Sequence, residues 1–157
     1  GRAGIRGRIE RVIEMSALRD AIVLHLQGDP SVTDLATGGI HPGFPPEMDA
    51  DGTLPDSLYP FISVTAQKAP AGEWVFQEVA FEDAVYLVKA IDKSTSGAVV
   101  ADINAAVRAS LNLATLTITG YASMGVMWLR DVQYEEIDGS QQYQHEGGLY
   151  SLMAEPT

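Results

Sequence analysis

The sequence predicts an α+β domain. Its expected form is a mostly antiparallel sheet of about four strands with two main helices packed on one face, a long C-terminal hairpin and a long Pro/Gly-rich loop. Three observations carry this. Residues 16–27 and 95–111 repeat apolar side chains at helical spacing. Other stretches alternate apolar and polar residues with period two. These strand-like stretches come in adjacent pairs, which favours antiparallel pairing over a doubly wound sheet.

The first helix reads SALRDAIVLHLQ, with Leu18, Ala21, Ile22 and Leu26 on one stripe, Ser16 as N-cap and Gly28-Asp29-Pro30 as its end. Upstream, Ile9, Val12 and Ile13 also have helical spacing, but at roughly 100° per residue their stripe points away from the one that begins at Leu18. Residues 1–14 are therefore read as a basic N-terminal extension, and 15–157 as one domain. The stretch from Gly38 to Pro60 holds five prolines and four glycines, too many for a helix or a strand. Tyr59–Gln67 alternates as a strand, and Lys68–Gly72 (KAPAG) reads as a turn. Trp74–Lys93 is long and changes phase: Val79 and Phe81 stand against Tyr86, Val88 and Ala90, which suggests a bulge near Glu82-Asp83. In the second helix Val99, Val100, Ile103, Val107 and Leu111 mark the buried face. Gly120 sits in the loop that follows. Met124, Val126, Trp128, Arg130, Val132 and Tyr134 then alternate up to the hairpin signal Asp138-Gly139, and Tyr143–Met153 returns as the partner strand.

Composition limits the function. At 157 residues and 46% hydrophobic, the chain has the size of one domain and the material for a core. There is no cysteine, hence no disulfide framework and no thiolate site. Of the net charge of −11, residues 1–14 contribute four arginines against Glu10 and Glu14 (+2), and the rest contributes −13. A body this acidic repels nucleic acid, whose binding rests on neutralising phosphates. No apolar run approaches a membrane span, and the first 14 residues lack the apolar core of a signal peptide.

The residues give no catalytic or metal constellation. His25, His41 and His145 have no partner at metal-ligand spacing; they read as a partly buried helix residue, a turn residue and a solvent-facing strand residue. Asp49-Ala50-Asp51-Gly52 begins like a calcium loop, but Thr53 and Pro60 occupy the fifth and twelfth positions, where that loop needs an acid or amide and a glutamate. Glu78, Glu82 and Asp83, with Asp131, Glu135, Glu136 and Asp138, read as a solvated sheet face, or as a channel lining if the chain forms a ring. Gly147-Gly148 is followed by no helix, so it marks a bulge or a close backbone approach rather than a phosphate loop. Trp74, Trp128, Tyr121 and Tyr143 are core aromatics or interface anchors. No catalytic residue, metal ligand or cofactor is expected.

Taken together, the helix SALRDAIVLHLQGDPSV, the loop GGIHPGFPP, the strand LYPFISV, the long strand ending EDAVYLVKAID, the helix ADINAAVRASL and the closing GGLYSLMA resemble the tail-completion, or tail-terminator, proteins of long-tailed bacteriophages. The likeness covers about residues 15–155. It implies a small α+β subunit without enzymatic activity, forming a homo-hexameric ring at the head-proximal end of the tail tube. The implied partners are a second copy, the tail tube protein and the neck or connector protein. Genomic DNA passes through without specific binding, and the protein belongs to the virion after assembly in the host cytoplasm. On this reading Ile40, His41, Phe44, Met48, Leu54, Leu58, Trp74 and Tyr143 are expected at ring interfaces, the proline-stiffened loop 38–58 being ordered by a neighbour. Glu78, Glu82, Asp83, Glu135 and Glu136 are expected to line the DNA channel. The alternatives are another neck or head–tail adaptor ring, or a small α+β ligand-binding domain or enzyme.

Overall fold

The computed structural model describes residues 17–43, 54–75 and 78–157, with backbone only at residues 68–83, Met124 and Pro156. The N-terminal extension, Phe44, Met48 and the Asp49–Gly52 stretch lie outside the described residues. Residues 17–27 are helical (α1), and Leu18, Ala21, Ile22 and Leu26 are buried as their spacing demands. Gly28 closes α1 with a bond to the Leu24 carbonyl, and Asp29 at once caps a second short helix, α2 (Pro30–Thr33), by accepting from the Ser31 amide at 3.0 Å. The helix stop read in the sequence is thus also a start.

The sheet has five strands, not four, in the order β1-β2-β3-β5-β4: β1 (Ile40–Pro42), β2 (Phe61–Val75), β3 (Glu78–Lys93), β4 (Tyr121–Asp138) and β5 (Gln141–Pro156). All neighbours are antiparallel except β1, which runs parallel to β2 with Ile40 opposite Ile62. The extra strand lies inside the stretch read as loop. Its ends are drawn together because Gly38 donates to the Pro60 carbonyl at 2.8 Å, where a Cβ on Gly38 would stand 1.6 Å from the Leu58 carbonyl oxygen. Only glycine fits there. A 3₁₀ turn at Asp56–Leu58 completes the closure.

The helix α3 spans Ala98–Leu111. It buries Val100, Ile103, Val107 and Leu111, but Val99 stands 41% exposed, one helical step off that stripe. With α1 it covers one face of the sheet, where Ile62, Val64, Ala84, Tyr86, Val88, Ala90, Val126, Tyr150, Leu152 and Ala154 complete the core. Each fully buried aliphatic or aromatic side chain contributes about 1.5–3 kcal/mol. Among the described residues no helix covers the opposite face.

Three strand readings need correction. KAPAG is not a turn: it lies within β2, where the register shifts between Ala66 and Lys68 and again between Lys68 and Ala71 absorb the unpaired residues. The bulge read near Glu82-Asp83 is displaced by two residues: from Glu73 to Trp74 the β3 partner jumps from Phe81 to Val79, leaving Ala80 unpaired, while β3 pairs with β5 without a break from Glu82 to Lys93. The alternation along β4 is broken at Ser123/Gly125 and Trp128/Arg130. Val126 and Trp128 consequently face the helices, while Arg130, Val132 and Tyr134 face away. The C-terminal hairpin turns at Gly139-Ser140 and is paired with β3 along most of its length. What outruns the shared sheet is instead the β2–β3 ribbon, whose pairing continues from Gly72↔Glu82 to Val75↔Glu78 beyond the end of β5.

Candidate assembly site

The β4 irregularity at Trp128/Arg130 decides which side chains meet α3. It turns Asp131 toward the helix layer, beside Glu146 of β5. The result is an open groove of about 540 Å³ walled by Ala101, Ala105 and Ala109 of α3, with Asn104, Asp131 and Glu146 as its polar floor. Asn104 occupies a core-facing position and is 6% exposed. Its amide donates to Asp131 Oδ1 at 3.3 Å and Glu146 Oε2 at 3.1 Å, while its own Oδ1 is buried without a hydrogen-bond partner. Such an orphan acceptor costs on the order of 1–3 kcal/mol and calls for a donor. Asp131 Oδ1 also accepts from the Trp128 indole at 3.1 Å, and the Arg108 guanidinium lies over the Trp128 ring, 3.6 Å from its centroid. The Tyr150 hydroxyl is a second orphan, buried nearby. Burial pushes its pKa far up, and the Asp131 charge adds to this more than Arg108 offsets, so the phenol stays protonated. The groove thus presents two carboxylates to hydrogen-bond donors, above a buried acceptor that lacks one, and its alanine walls admit a long side chain.

The rim of this face is apolar. Leu24 of α1 is 66% exposed, and Leu113, just past α3, is 76% exposed with a left-handed backbone (φ 65°). The Leu113 amide holds that conformation by donating to the Val126 carbonyl at 2.8 Å. The two helices are tied together by His25, whose Nε2 donates to the Ser110 carbonyl at 3.0 Å, so the partly buried role read for His25 is what the structure shows.

The helix-free sheet face has two halves. Toward the hairpin turn it is closed by rings: His41, Phe61, Tyr59 and Tyr143 form a chain with centroids 6.1, 5.5 and 5.8 Å apart, and Tyr134 stacks on His145 at 4.3 Å. Lys89 donates to the Tyr134 hydroxyl at 2.6 Å. His145 is not solvent-facing as its strand position suggests; it is 5% exposed, covered by Tyr134, and its Nε2 donates to Glu136 at 2.8 Å. Toward the opposite end no described residue closes the face: Leu87, Leu149, Val85 and Met153 are half-buried, and Met127 on the edge strand β4 is exposed.

The residues expected at interfaces are dispersed. Ile40 is buried in β1 under its own fold, and His41 donates to the Gly38 carbonyl. Leu54 and Leu58 are half-buried in the closed loop, and Trp74 lies in the β2–β3 ribbon. Among the described residues His41 and Tyr143 stand at the two ends of the ring chain, linked through Phe61 and Tyr59 and not touching each other. The acids form no single cluster. Glu78, Glu82 and Asp83 belong to the ribbon end of the sheet, whereas Glu135 and Glu136 flank the hairpin turn. Those two diverge further: Glu135 accepts from Gln144 on the helix side, and Glu136 accepts from His145 on the other. The groove residues Asn104 and Glu146 were not singled out from sequence. The available signal was a polar residue inside the apolar stripe Val100–Val107. Among the described residues, no three histidines or carboxylates are placed to hold a metal ion, and no helix is long and apolar enough to cross a membrane.

Neither a family model nor a curated protein sequence matches the chain. Among solved structures, a chain of the virion of a native gene transfer agent (GTA) particle matches with a TM-score of 0.69 at 17% identity, over 90% of this chain and 97% of that one. At that identity the likeness is one of fold.

Proposed function

We propose that the chain is a non-enzymatic structural subunit of a phage-like virion. In this reading it forms a homo-hexameric ring at the head-proximal end of the tail tube, ends tube growth, and joins the tail to the neck or connector. One observation supports it above the others: the fold coincides nearly end to end with a virion chain, with little of either chain left over. The resemblance of the segment order to tail-terminator proteins points the same way. So does a surface with two distinct patches, an acidic groove under α3 and an open apolar sheet face, on a chain of net charge −11. Self-association through different patches closes into rings, and a bore of like charge leaves passing DNA unbound.

Deleting the gene from a producing strain tests this. Tails of unregulated length, unjoined to heads, are expected, with restoration by the intact gene. Tails of normal length that fail to join heads would move the protein to another neck ring. Normal joined particles would refute a virion role.

A further inference from the structure

Arg130 is exposed on the open sheet face, opposite Leu149 and next to Met127 and Val132, and has no hydrogen bond or ion pair among the described residues. It is an unpaired guanidinium within an apolar patch on an acidic chain. Interface anchors are commonly of this kind. On the other face of the same strand, the groove offers what a guanidinium lacks here: the Asp131 and Glu146 carboxylates and the unpartnered, buried Oδ1 of Asn104. A planar five-donor group on a long stem suits two carboxylates between alanine walls, with the unsatisfied Asn104 acceptor beneath them. Arg108, the cation already in the groove, is engaged with Trp128.

We propose that Arg130 of one copy enters the α3–β4 groove of the next, placing the open sheet face of each subunit against the helix face of its neighbour. The occupant is a second copy of this chain, chosen by charge: an exposed guanidinium beside Met127 and Val132 on one face meets the two groove carboxylates on the other, where Leu113 follows the lining residue Asn112. Arg130 and Asp131 project from opposite faces of one strand, so a single neighbour cannot satisfy both. The contact is head-to-tail, which closes a ring when its rotation divides a full turn. The inference rests on the ring-forming reading and names its interface.

The absence of cysteine makes the test direct. Met127→Cys and Ala105→Cys, both at exposed positions and leaving Arg130 in place, are combined in one chain and oxidised. Non-reducing electrophoresis is expected to show a ladder up to a closed multimer, with each single variant largely monomeric. Unchanged thermal unfolding of the reduced proteins confirms that the fold is intact. Arg130→Glu is expected to weaken self-association about thirtyfold or more by sedimentation. A monomeric double variant overturns the proposal, as does Met127→Cys alone pairing as readily as the double variant. Rings of the wild-type protein in micrographs without the ladder refute this face assignment and leave the ring; absence of both refutes the two together.

Discussion

Gly147 lies at the centre of the sheet, opposite Lys89 of β3 and Val132 of β4. A Cβ added there would stand 2.4 Å from the Val88 carbonyl oxygen, 2.6 Å from Lys89 Cα and 2.9 Å from Lys89 Cβ. Ordinary contact begins at 3.4 Å, so the shortfall to the carbonyl is 3.4 − 2.4 = 1.0 Å. Two of the three obstructing atoms are backbone and cannot rotate aside. Gly147→Ala must part β3 from β5 by nearly that distance, which stretches the adjoining ladder bonds past useful length. Two weakened bonds at about 1 kcal/mol each, with about 1–3 kcal/mol of overpacking, less about 0.5–1 kcal/mol of relieved glycine entropy, leave a loss of about 2–4.5 kcal/mol. For a domain of this size that lowers Tm by roughly 4–18 °C. Urea unfolding followed by tryptophan fluorescence measures it, with Gly97→Ala as control. The Gly97 Cβ would meet Gln144 Oε1 at an ordinary 3.8 Å. A Gly147→Ala protein within about 0.5 kcal/mol of wild type would refute the steric argument.

Three further outcomes follow from the packing. Ile103→Ala, at a fully buried position of α3, is expected to cost about 2–5 kcal/mol by the same assay, and a loss under about 1 kcal/mol would remove Ile103 from the core. Tyr150→Phe deletes an orphan hydroxyl and is expected to raise stability by about 1 kcal/mol; a clear loss would show that the hydroxyl has a partner after all. Burial lowers the His145 pKa, more than the Glu136 hydrogen bond raises it. The unfolded chain therefore takes up that proton first: stability is unaffected well above the unfolded value near 6.5 and falls as pH drops through it toward the lowered folded value. His145→Gln is expected to flatten the stability difference between pH 7.5 and 5.5, and equal slopes in the two proteins would refute the linkage.

The parts that sequence made legible were those whose periodicity is long. α1, α3 and the closing hairpin each repeat their pattern over two or more turns or alternations, and Gly147-Gly148 announced the close approach that Gly147 makes. What escaped lacks period. β1 is three residues including a proline, and it exists because Gly38 lets the loop close on Pro60 and lays Ile40 beside Ile62. The bulge at Trp128/Arg130 leaves the written alternation unchanged while exchanging the faces, so it cannot be seen without the partner strand. The groove depends on that exchange, which brings Asp131 to Asn104 across 27 positions of chain. His145 is hidden by Tyr134, a cross-strand neighbour eleven residues away in sequence and directly opposite in register.

The ribbon formed by the far halves of β2 and β3 is rooted unusually deep. One of its two legs, β3, continues as an interior strand, clasped by β2 on one flank as far as Ile91 and by β5 on the other as far as Lys93. A load applied at the tip therefore runs as shear along many ladder bonds at once, where a surface loop would peel one bond at a time. That makes the ribbon a stiff handle, by which a gripping partner turns the whole subunit before it bends any part of it.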